Sequence, residues 1–447
     1  MKIKTVKKSY AEVMNMEREH HPHPMPSTAF FRWLMKVAAA KDLRDADFSY
    51  EEIGMEKLAK NEPAFILMNH SSFIDIEMIP HIFSKRRFNI VTSIDAFAGM
   101  SLLMRLLGCI PTKKFVADAG LLRDMLYVIK NHKSSVIMFP EAGYTFDGTA
   151  TAMPNTLGAC VKFLGVPLVI VKTDGAFLRD PLYNNLQKRR VKASATVEYM
   201  LSADEVKKLP CEEIEKIIRK KFDFDAFREQ RERKIKISES FRADGLNRVL
   251  YKCPRCLEEG KMLGKGTSLT CLNCEKSYTL TEYGALEAND GSDGFTHVPD
   301  WYRWEREEVK REIEAGEYEI TARVRILMMR GIKKLYDVGE GTLTHNSSGF
   351  TLKSEDGELC YTQTPLCSYS VNSDFNWYEI GDAVSIGDNN ALFYCIPTEK
   401  GDIVTKIRLA AEELYKKARE ELEAHKCSHR GCDACEKSQP GDEIKAR

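Results

Sequence analysis

Residues 63–75 read PAFILMNHSSFID, a short apolar run that is followed at once by a polar turn. The run predicts a buried β-strand. Four similar runs, mostly separated by helix-like stretches, occupy residues 88–92, 135–139, 167–171 and 195–199. Continuous apolar strands that alternate with helices predict an α/β domain with a mostly parallel sheet. Because such sheets bind ligands beyond the carboxyl ends of their strands, the polar residues after each run are the candidates for function.

The charge of the chain is balanced overall but unevenly divided along its length. The 447 residues include 66 Lys and Arg and 66 Asp and Glu. Residues 1–250 hold 40 basic and 31 acidic residues, whereas residues 251–447 hold 26 basic and 35 acidic ones. Zero net charge argues against a protein that coats nucleic acid, so we expect no nucleic-acid partner. The basic half is the one suited to an anionic surface or substrate.

No segment of the sequence has the pattern of a membrane span or a secretory signal. The longest apolar candidates, residues 100–110 and 163–171, are shorter than the roughly 18–20 residues that cross a bilayer. Residues 1–20 lack the apolar core of a signal peptide. We therefore expect a cytoplasmic protein, in which closely spaced cysteines are metal ligands or redox centres before they are disulfides.

His70 and Asp75 form the first candidate constellation. A carboxylate that accepts one imidazole N–H fixes the tautomer and raises the basicity of the other ring nitrogen. The two side chains can meet if the chain turns into a helix between them, and the pair would then act as a general base. Taken alone, this spacing often occurs by chance, and an ordinary capping Asp beside a hydrogen-bonded His is the simpler interpretation.

Two further motifs follow along the chain. The segment GCIPTKK at 108–114 is a Gly/Pro turn ending in Lys113 and Lys114, a pair that suits a phosphate and is equally typical of a solvated surface. The segment FPEAGYT at 139–145 directly follows an apolar strand. Its small-residue loop is expected at the same sheet edge as His70, where it can offer backbone N–H groups to a ligand.

Together and in this order, the motifs resemble the glycerolipid acyltransferase family, which includes the 1-acylglycerol-3-phosphate acyltransferases. The family pattern is N-H-x4-D, a G-x-I-P-x-x-R-like block, F-P-E-G-x-R-S and an apolar V-P-x-x-P-V strand, matched here over roughly residues 27–240. The resemblance implies that His70, oriented by Asp75, deprotonates the hydroxyl of a lysophospholipid, which attacks an acyl thioester of coenzyme A or acyl carrier protein. The substrate-binding residues that it implies are Lys113, Lys114, Glu141, Ala142, Gly143 and Thr145.

The chain departs from the family pattern in three places. Ala142 replaces the first Gly after the Glu, Tyr144 stands where the family has a phosphate-binding Arg, and Ile170 replaces the second Pro of the last block. Loss of the Arg leaves Lys113, Lys114 or an Arg elsewhere to neutralise a phosphate. This puts the acceptor headgroup in question more than the acyl-transfer chemistry. Because the His, Asp and Glu are retained, we expect an active enzyme.

Residues 27–37 predict a helix that could reach a lipid surface. Ser27 is suited to cap it. Its apolar side chains, interspersed with Arg32 and Lys36, are Phe30, Phe31, Trp33, Leu34 and Val37. Hydrophobicity favours two interpretations equally, a helix lying in the membrane interface and a helix packed on the sheet. The basic excess of the first half favours peripheral attachment to an anionic membrane surface.

A cysteine-rich ribbon follows the predicted α/β domain. Its two pairs, with fourteen residues between them, are Cys253, Cys256, Cys271 and Cys274. Four thiolates from two tight turns have the spacing of a tetrahedral structural zinc site, and redox CxxC pairs are the alternative. Near the end of the chain, a second metal site is conceivable at Cys427, His429, Cys432 and Cys435. A mobile tail is favoured there.

The rest of the chain reads as a β-rich module. From Glu317 apolar and polar residues alternate with a period of two, and a final helix carries one apolar stripe. Antiparallel strands with one capping helix resemble a PH-like (pleckstrin-homology-type) module in topology. The sequence therefore divides into an acyltransferase domain (1–245), a zinc ribbon (246–282), a linker with an acidic helix (283–315), a PH-like β domain with a capping helix (316–422) and a flexible Cys-containing tail (423–447).

As a whole, the sequence predicts a multidomain peripheral membrane acyltransferase with a structural zinc ion. The favoured reaction converts 1-acylglycerol-3-phosphate to phosphatidic acid, with acyl-CoA or acyl carrier protein as donor. Three alternatives stay open. They are the acylation of another lysolipid, a non-catalytic lipid-binding regulator on the same scaffold, and a nucleic-acid-associated adaptor in which the ribbon is the working part.

Overall fold

The N-terminal domain is built on one seven-stranded sheet. The computed structural model describes residues 3–399 and 401–435, and for residues 426–435 it describes the backbone alone. After a short β1 (Thr5–Lys7), the strands are β2 (Ser49–Ile53), β3 (Phe65–Met68), β4 (Phe88–Ser93), β5 (Cys109–Thr112), β6 (Ser135–Met138), β7 (Leu168–Asp174) and β8 (Ser194–Leu201). The sheet order is β2-β8-β7-β3-β6-β4-β5, and every neighbouring pair is parallel except β7 with β8. The predicted mostly parallel sheet and its five predicted strands are confirmed.

The two edge strands, β2 and β5, were not predicted from the sequence. Every residue of β2 is exposed, and its sequence SYEEI has no apolar run. Strand β5 is four residues long and contains Pro111. Edge strands need no apolar residues on both faces and tolerate proline, so the signal of a buried strand is missing from them.

The helices of the N-terminal region include those that cover both faces of this sheet. They are α1 (Tyr10–Asn15), α2 (Ala29–Asp45), α3 (Ile74–Ile82), α4 (Ser101–Leu106), α5 (Ala119–His132), α6 (Leu157–Leu164), α7 (Ala176–Arg179), α8 (Ala203–Lys208), α9 (Cys211–Lys221) and α10 (Ala226–Glu232). On β3, Ile66 and Met68 belong to one apolar cluster and Phe65 and Leu67 to another. Because alternate side chains of a strand point to opposite faces, a strand buried on both sides is apolar throughout.

Helix α2 begins one residue later than its predicted cap. Thr28, and not Ser27, is the N-cap, and its hydroxyl accepts a hydrogen bond from the Phe31 N–H at 3.4 Å. The Ser27 hydroxyl instead donates to the Phe88 carbonyl and ties the incoming chain to β4. Among the helical residues only Ala39 and Leu43 are buried, so most of α2 lies outside the core.

The ribbon forms a separate small sheet. Its strands, in the order β12-β11-β10-β9, are β9 (Met262–Lys265), β10 (Ser268–Cys271), β11 (Ser277–Leu280) and β12 (Leu286–Ala288). Helix α11 (Val298–Ala315) follows, where an acidic helix was predicted. The Trp301 indole N–H of α11 donates to the Lys252 carbonyl at 3.0 Å, so the helix and the ribbon share one core.

The C-terminal domain is a curled antiparallel sheet with one long helix. Its strands are β13 (Glu319–Met329), β14 (Leu335–Asn346), β15 (Gly349–Ser354), β16 (Cys360–Gln363), β17 (Asn372–Trp377), β18 (Gly381–Gly387) and β19 (Leu392–Pro397), in the order β16-β15-β14-β13-β19-β18-β17. Strand β1 pairs in parallel with β14. The period-two pattern therefore marked strands correctly, while a PH-like assignment remains a prediction.

Helix α12 (Ile403–Cys435) extends beyond residue 422, where the capping helix was predicted to end. The predicted second metal site cannot be placed, because the side chains of Cys427, His429, Cys432 and Cys435 lie outside the described residues. Among the helices of the described ranges, none is long and apolar enough to cross a membrane.

The two large domains pack directly on each other. The Trp377 indole N–H of β17 donates to Asp95 of the N-terminal domain at 2.9 Å. Lys113 donates to the Asn389 carbonyl at 2.7 Å, and Arg408 of α12 donates to the Tyr144 carbonyl at 3.2 Å. The C-terminal domain consequently covers the carboxyl edge of the parallel sheet, where the sequence placed the candidate site.

Candidate active site

His70 and Asp75 are held together by the turn between β3 and α3. His70 follows the end of β3, and Asp75 lies in the first turn of α3. The His70 Nδ1 atom is 3.5 Å from Asp75 Oδ2, and Asp75 is fully buried. The two predicted residues are thus adjacent, but 3.5 Å is longer than an N–H···O hydrogen bond, and His70 Nδ1 has no hydrogen-bond partner among the described residues.

Backbone amides fix the Asp75 carboxylate. Its Oδ2 accepts hydrogen bonds from the N–H groups of Ser71 at 2.6 Å and Ser72 at 2.9 Å. Its Oδ1 accepts from the Thr173 hydroxyl at 3.0 Å. These donors and the N-terminal end of α3 stabilise a negative charge that faces His70 Nδ1. The other ring nitrogen, Nε2, is left to exchange a proton.

The surroundings of His70 favour its neutral form. Its ring stacks on Phe139 at 4.1 Å and tilts against Tyr144 at 4.3 Å. Burial lowers the pKa of His70 below 6.5, and the Asp75 carboxylate only partly opposes this shift, while the Lys114 ammonium adds to it. A group with a lowered pKa stays neutral at pH 7 and above, which is the form that can accept a proton.

Glu141 anchors the backbone and does not line the cavity. Its Oε2 accepts a hydrogen bond from the His70 N–H at 2.6 Å, and its Oε1 accepts from the Thr151 N–H at 3.2 Å. Burial raises the pKa of Glu141 to about 7, although the hydrogen bonds from these donors act to lower it. The carboxyl group therefore joins the turn after β3 to the loop after β6, so that His70 and residues 141–151 are positioned together.

The loop after β6 presents Ala142 to the cavity but not Thr145. Ala142 has a φ of 56°, the left-handed conformation that explains why glycine suits this position. Gly143 is buried and does not line the cavity, although a side chain there would meet nothing within 4 Å. Thr145 is fully buried, and its hydroxyl donates to the Thr149 carbonyl at 2.7 Å, which stabilises the loop from inside. Thr145 thus has a supporting place and not the substrate contact that the resemblance implied.

The two predicted lysines differ in their surroundings. Both follow β5 and line the cavity. Lys113 is engaged by the Asn389 carbonyl, and burial lowers its pKa. Lys114 has no hydrogen bond or ion pair with any residue that the structure describes, although its charge acts on both His70 and Asp374. Lys114 is the cation available to a ligand.

One large cavity adjoins His70. Its volume is about 1710 Å³, which is large enough for a lipid chain together with a headgroup. The N-terminal domain supplies one wall, with side chains from α2, α3, α4, α5 and the loops after β5 and β6. The C-terminal domain supplies the other, including Tyr369, Asp374, Phe375, Trp377 and Tyr378. Sequence reasoning missed this second wall, because no local motif marks it.

Arg408 supports the site from behind. Its guanidinium lies 4.3 Å from the centre of the Phe146 ring, donates to the Tyr144 carbonyl and pairs with Glu412 at 3.5 Å. The residue is 5 % exposed, although it carries a full charge. A buried guanidinium that touches the loop beside His70 is a positioning group, and its place on the final helix gave no signal in the sequence.

The four ribbon cysteines converge as predicted. Their sulfur atoms all lie within 4.8 Å of one another, with Cys253 to Cys274 at 3.7 Å and Cys256 to Cys271 at 3.6 Å. Zinc–thiolate bonds of about 2.3 Å in a tetrahedron separate neighbouring sulfur atoms by about 3.8 Å. The donor set therefore fits a metal ion of this kind.

Two comparisons with known proteins gave matches. Residues 50–171 match the model of the Acyltransferase family, so the N-terminal region carries an acyltransferase domain. The chain is also similar to the crystal structure of the 1-acyl-sn-glycerophosphate (LPA) acyltransferase, PlsC, from Thermotoga maritima, with 16% identity and a TM-score of 0.34 over 42% of this chain and 77% of that one. None of the curated proteins is a significant match.

Proposed function

We propose that the protein transfers an acyl group from a thioester to the hydroxyl of a lysophospholipid. The observation that carries the proposal is the His70–Asp75 pair, which lies inside an acyltransferase domain and borders a cavity of lipid size. In the proposed substrate complex Asp75 approaches Nδ1 closely enough to orient the neutral imidazole, and Nε2 accepts the proton. Such a pair is a general base for a hydroxyl group.

In the proposed reaction, His70 Nε2 takes the proton of the acceptor hydroxyl as its oxygen attacks the thioester carbonyl carbon. A carbon–oxygen bond forms, and the carbonyl oxygen takes up negative charge. Collapse of this intermediate breaks the carbon–sulfur bond, and the thiolate that leaves recovers the proton from His70. The backbone of the loop at Ala142, which lines the cavity, is the proposed place for N–H groups to stabilise the oxyanion.

The acyl donor and acceptor follow from the family. The donor is acyl-CoA or acyl carrier protein, and the acceptor is a lysophospholipid, for which the family motifs favour 1-acylglycerol-3-phosphate. Lys114 is the proposed phosphate contact, because it is unpaired among the described residues and close enough to act on His70. Glu141 and Ala142 shape the loop that bounds the acceptor.

We also propose that the protein works while attached to an anionic membrane surface. Helix α2 exposes Phe30 at 61 % and Trp33 at 58 %, and the neighbouring α4 exposes Leu102 at 64 %. Met35 and Ala38 of the same α2 line the cavity. An apolar surface continuous with the cavity lets a lysolipid pass from the membrane to His70 without crossing water.

The ribbon is proposed to hold a structural zinc ion. Four thiolates would complete the coordination of the metal and leave no position for a substrate. Lys406 of α12 pairs with Glu259 of the ribbon at 2.8 Å, and Asn247 donates to Asp402 at 2.8 Å. The metal-bound ribbon would therefore set how the C-terminal domain sits on the acyltransferase domain.

The test is acyl transfer by the full chain, measured as thiol release and product formation with acyl-CoA and acyl carrier protein donors. His70→Ala should lower kcat/KM by about 10²- to 10⁴-fold, the usual contribution of a general base. His21→Ala is the matched control, because His21 also pairs with a buried carboxylate, Asp124 at 2.7 Å, but does not line the cavity.

Two outcomes would overturn the proposal in different ways. Undiminished transfer by the His70→Ala variant would reject the catalytic role of the His70–Asp75 pair. A folded wild-type protein that binds lysolipid vesicles but turns over no donor and acceptor would instead support a lipid-binding regulator on this scaffold.

A further inference from the structure

Asp95 is a cavity-lining residue that holds a buried carboxylate oxygen without a hydrogen-bond partner among the described residues. It lies in a short 3-10 turn after β4, lines the cavity and is 5 % exposed. Its Oδ2 accepts the hydrogen bond from Trp377, but its Oδ1 has no hydrogen-bond partner among the described residues. A buried oxygen of this kind is costly unless a ligand supplies a donor.

Asp374 adds a second carboxylate from the other domain. It lies on β17, lines the same cavity and forms no ion pair with any described residue. Burial raises the pKa of Asp374 to about 7, although the Lys114 ammonium and the Phe375 N–H act in the opposite direction. The carboxyl group is therefore placed where a cation would stabilise its charged form.

Aromatic rings accompany the two carboxylates. The rings of Trp377 and Tyr378 meet edge to face at 5.1 Å, and both residues line the cavity together with Tyr144. Aromatic faces and carboxylates in one desolvated pocket are the groups that bind organic ammonium ions. This part of the cavity has the chemistry of an ammonium site.

A cation lies in the same cavity without neutralising these carboxylates. Lys114 and Asp374 do not form an ion pair with each other among the described contacts, although the Lys114 charge acts to lower the pKa of Asp374. Two other basic residues of the lining are occupied, since Lys113 donates to Asn389 and Arg419 pairs with Glu423 at 2.8 Å. The acidic residues of the lining are Glu77, Asp95, Asp118, Asp374 and Glu379, so an acceptor bound beside His70 meets Lys114 as the available cation and an excess of carboxyl groups.

We propose that the preferred acceptor is a zwitterionic lysophospholipid, whose phosphate contacts Lys114 and whose ammonium group lies against Asp374, Asp95 and the rings of Trp377 and Tyr378. The inference rests on the proposed acyl transfer and replaces 1-acylglycerol-3-phosphate, which the motifs favour, as the preferred acceptor of that reaction. A phosphomonoester satisfies Lys114 but brings additional negative charge towards Asp95 and Asp374. A phosphate ester that carries an ammonium group satisfies both the Lys114 ammonium and the carboxylates of Asp95 and Asp374.

The test compares acceptors in the full-length protein. Lysophosphatidylethanolamine, 1-acylglycerol-3-phosphate and monoacylglycerol, with the same acyl chain, are offered in mixed micelles. The wild type should use the ethanolamine lipid about tenfold more efficiently than the phosphomonoester, as kcat/KM. Asp374→Asn should remove this preference by lowering kcat/KM for the ethanolamine lipid alone, because a charge-assisted contact contributes about tenfold or more. Lys114→Met should weaken both phosphate-bearing acceptors and spare monoacylglycerol.

A matched control removes the same charge elsewhere in the C-terminal domain. Glu355→Gln changes an exposed carboxylate that pairs with Arg323 at 2.8 Å, away from the cavity, and should leave the acceptor preference unchanged. Thermal unfolding of each variant shows whether the fold is retained.

Binding of the headgroup alone gives a second readout that needs no turnover. Glycerophosphoethanolamine should show saturation-transfer NMR signals with the wild type that are weakened in the Asp374→Asn variant. Preference for the phosphomonoester, or a preference unchanged by Asp374→Asn, would overturn the inference and leave acyl transfer intact. No transfer to any acceptor would reject the proposed function, and headgroup binding that depends on Asp374 would still support the ammonium site.

Discussion

The two walls of the cavity are formed by different kinds of structure. The N-terminal wall comes from turns that directly follow strands of one sheet, and its central groups, His70 and Asp75, are five residues apart. The C-terminal wall comes from β17 and α12, and it reaches the site through long-range packing such as the Trp377–Asp95 hydrogen bond. The first wall carries the proposed chemistry, and the second closes the cavity and determines what fits beside it.

This difference assigns the proposed chemistry to the N-terminal wall and the choice of acceptor to the C-terminal wall. General-base chemistry needs a local, rigid geometry, which a strand end and a helix N-terminus provide within a few residues. Recognition of a headgroup can use any side chain that packing brings within reach. A change on the first wall should therefore remove turnover, and a change on the second should alter acceptor choice or the support of the catalytic loop.

The largest effect is expected where the walls are joined, at the ribbon. Cys271→Ser removes one of four thiolates, and zinc binding in such sites contributes on the order of 10 kcal/mol to folding. We expect loss of the bound zinc and a fall of several kcal/mol in the free energy of unfolding. Metal analysis and denaturant unfolding measure the two effects.

The control for the ribbon is Cys360→Ser, which alters an exposed cysteine of β16. It should change neither zinc content nor stability. Less than one zinc per chain in folded wild-type protein would contradict the structural role of the metal. Loss of zinc without loss of stability would show that the packing around Trp301 is sufficient to join the walls.

A smaller effect is expected at Arg408, which connects the second wall to the first. Arg408→Met removes a charged donor to the Tyr144 carbonyl, a contact of about 1.5–3 kcal/mol, and should lower kcat by roughly 10- to 100-fold with little change in KM. Arg408→Lys keeps the charge and should restore part of kcat. Steady-state kinetics and thermal unfolding distinguish loop positioning from a general loss of stability.

Lys416→Met is the control on the same helix, since Lys416 is 57 % exposed and, among the described residues, pairs only with Glu413 at 2.6 Å. It should leave kcat unchanged. If both variants lowered kcat and stability in parallel, Arg408 would be a structural residue of α12 and not a support of the site.

The contrast between the walls also explains what the sequence could predict. The strands at 65–68 and 135–138 were predictable, because burial on both faces makes every residue apolar. His70 and Asp75 were predictable as a pair, because a strand end followed by a helix start fixes their proximity. The contact between Asp374 and the cavity was not, because it depends on how two separately folded sheets pack and leaves no periodic pattern in either one.

Competition between possible hydrogen bonds accounts for the smaller differences between the sequence predictions and the structure. Ser27 and Thr28 are both good capping residues, and the Phe88 carbonyl takes the Ser27 hydroxyl, so the helix begins after Thr28. Thr145 matches a family position by type, yet its hydroxyl serves the Thr149 carbonyl inside the loop. In each case a neighbour distant in the chain, or the fold of a loop, decided between hydrogen bonds that the sequence allows equally.

The smallest effect is expected at the exposed apolar face, which belongs to the first wall alone. Replacing both Phe30 and Trp33 by Ser should weaken binding to anionic vesicles by about tenfold, because even partial burial of two aromatic rings corresponds to at least 1.4 kcal/mol, about a tenfold change in partitioning. Vesicle sedimentation measures the change.

Leu263→Ser with Tyr283→Ser, which removes two exposed apolar residues of the ribbon, is the control. Turnover of a short-chain, water-soluble acceptor should be unaffected, since the rings do not touch His70. Unchanged sedimentation would place the membrane contact elsewhere, and a parallel loss of soluble turnover would show that α2 shapes the cavity and not its access to lipid.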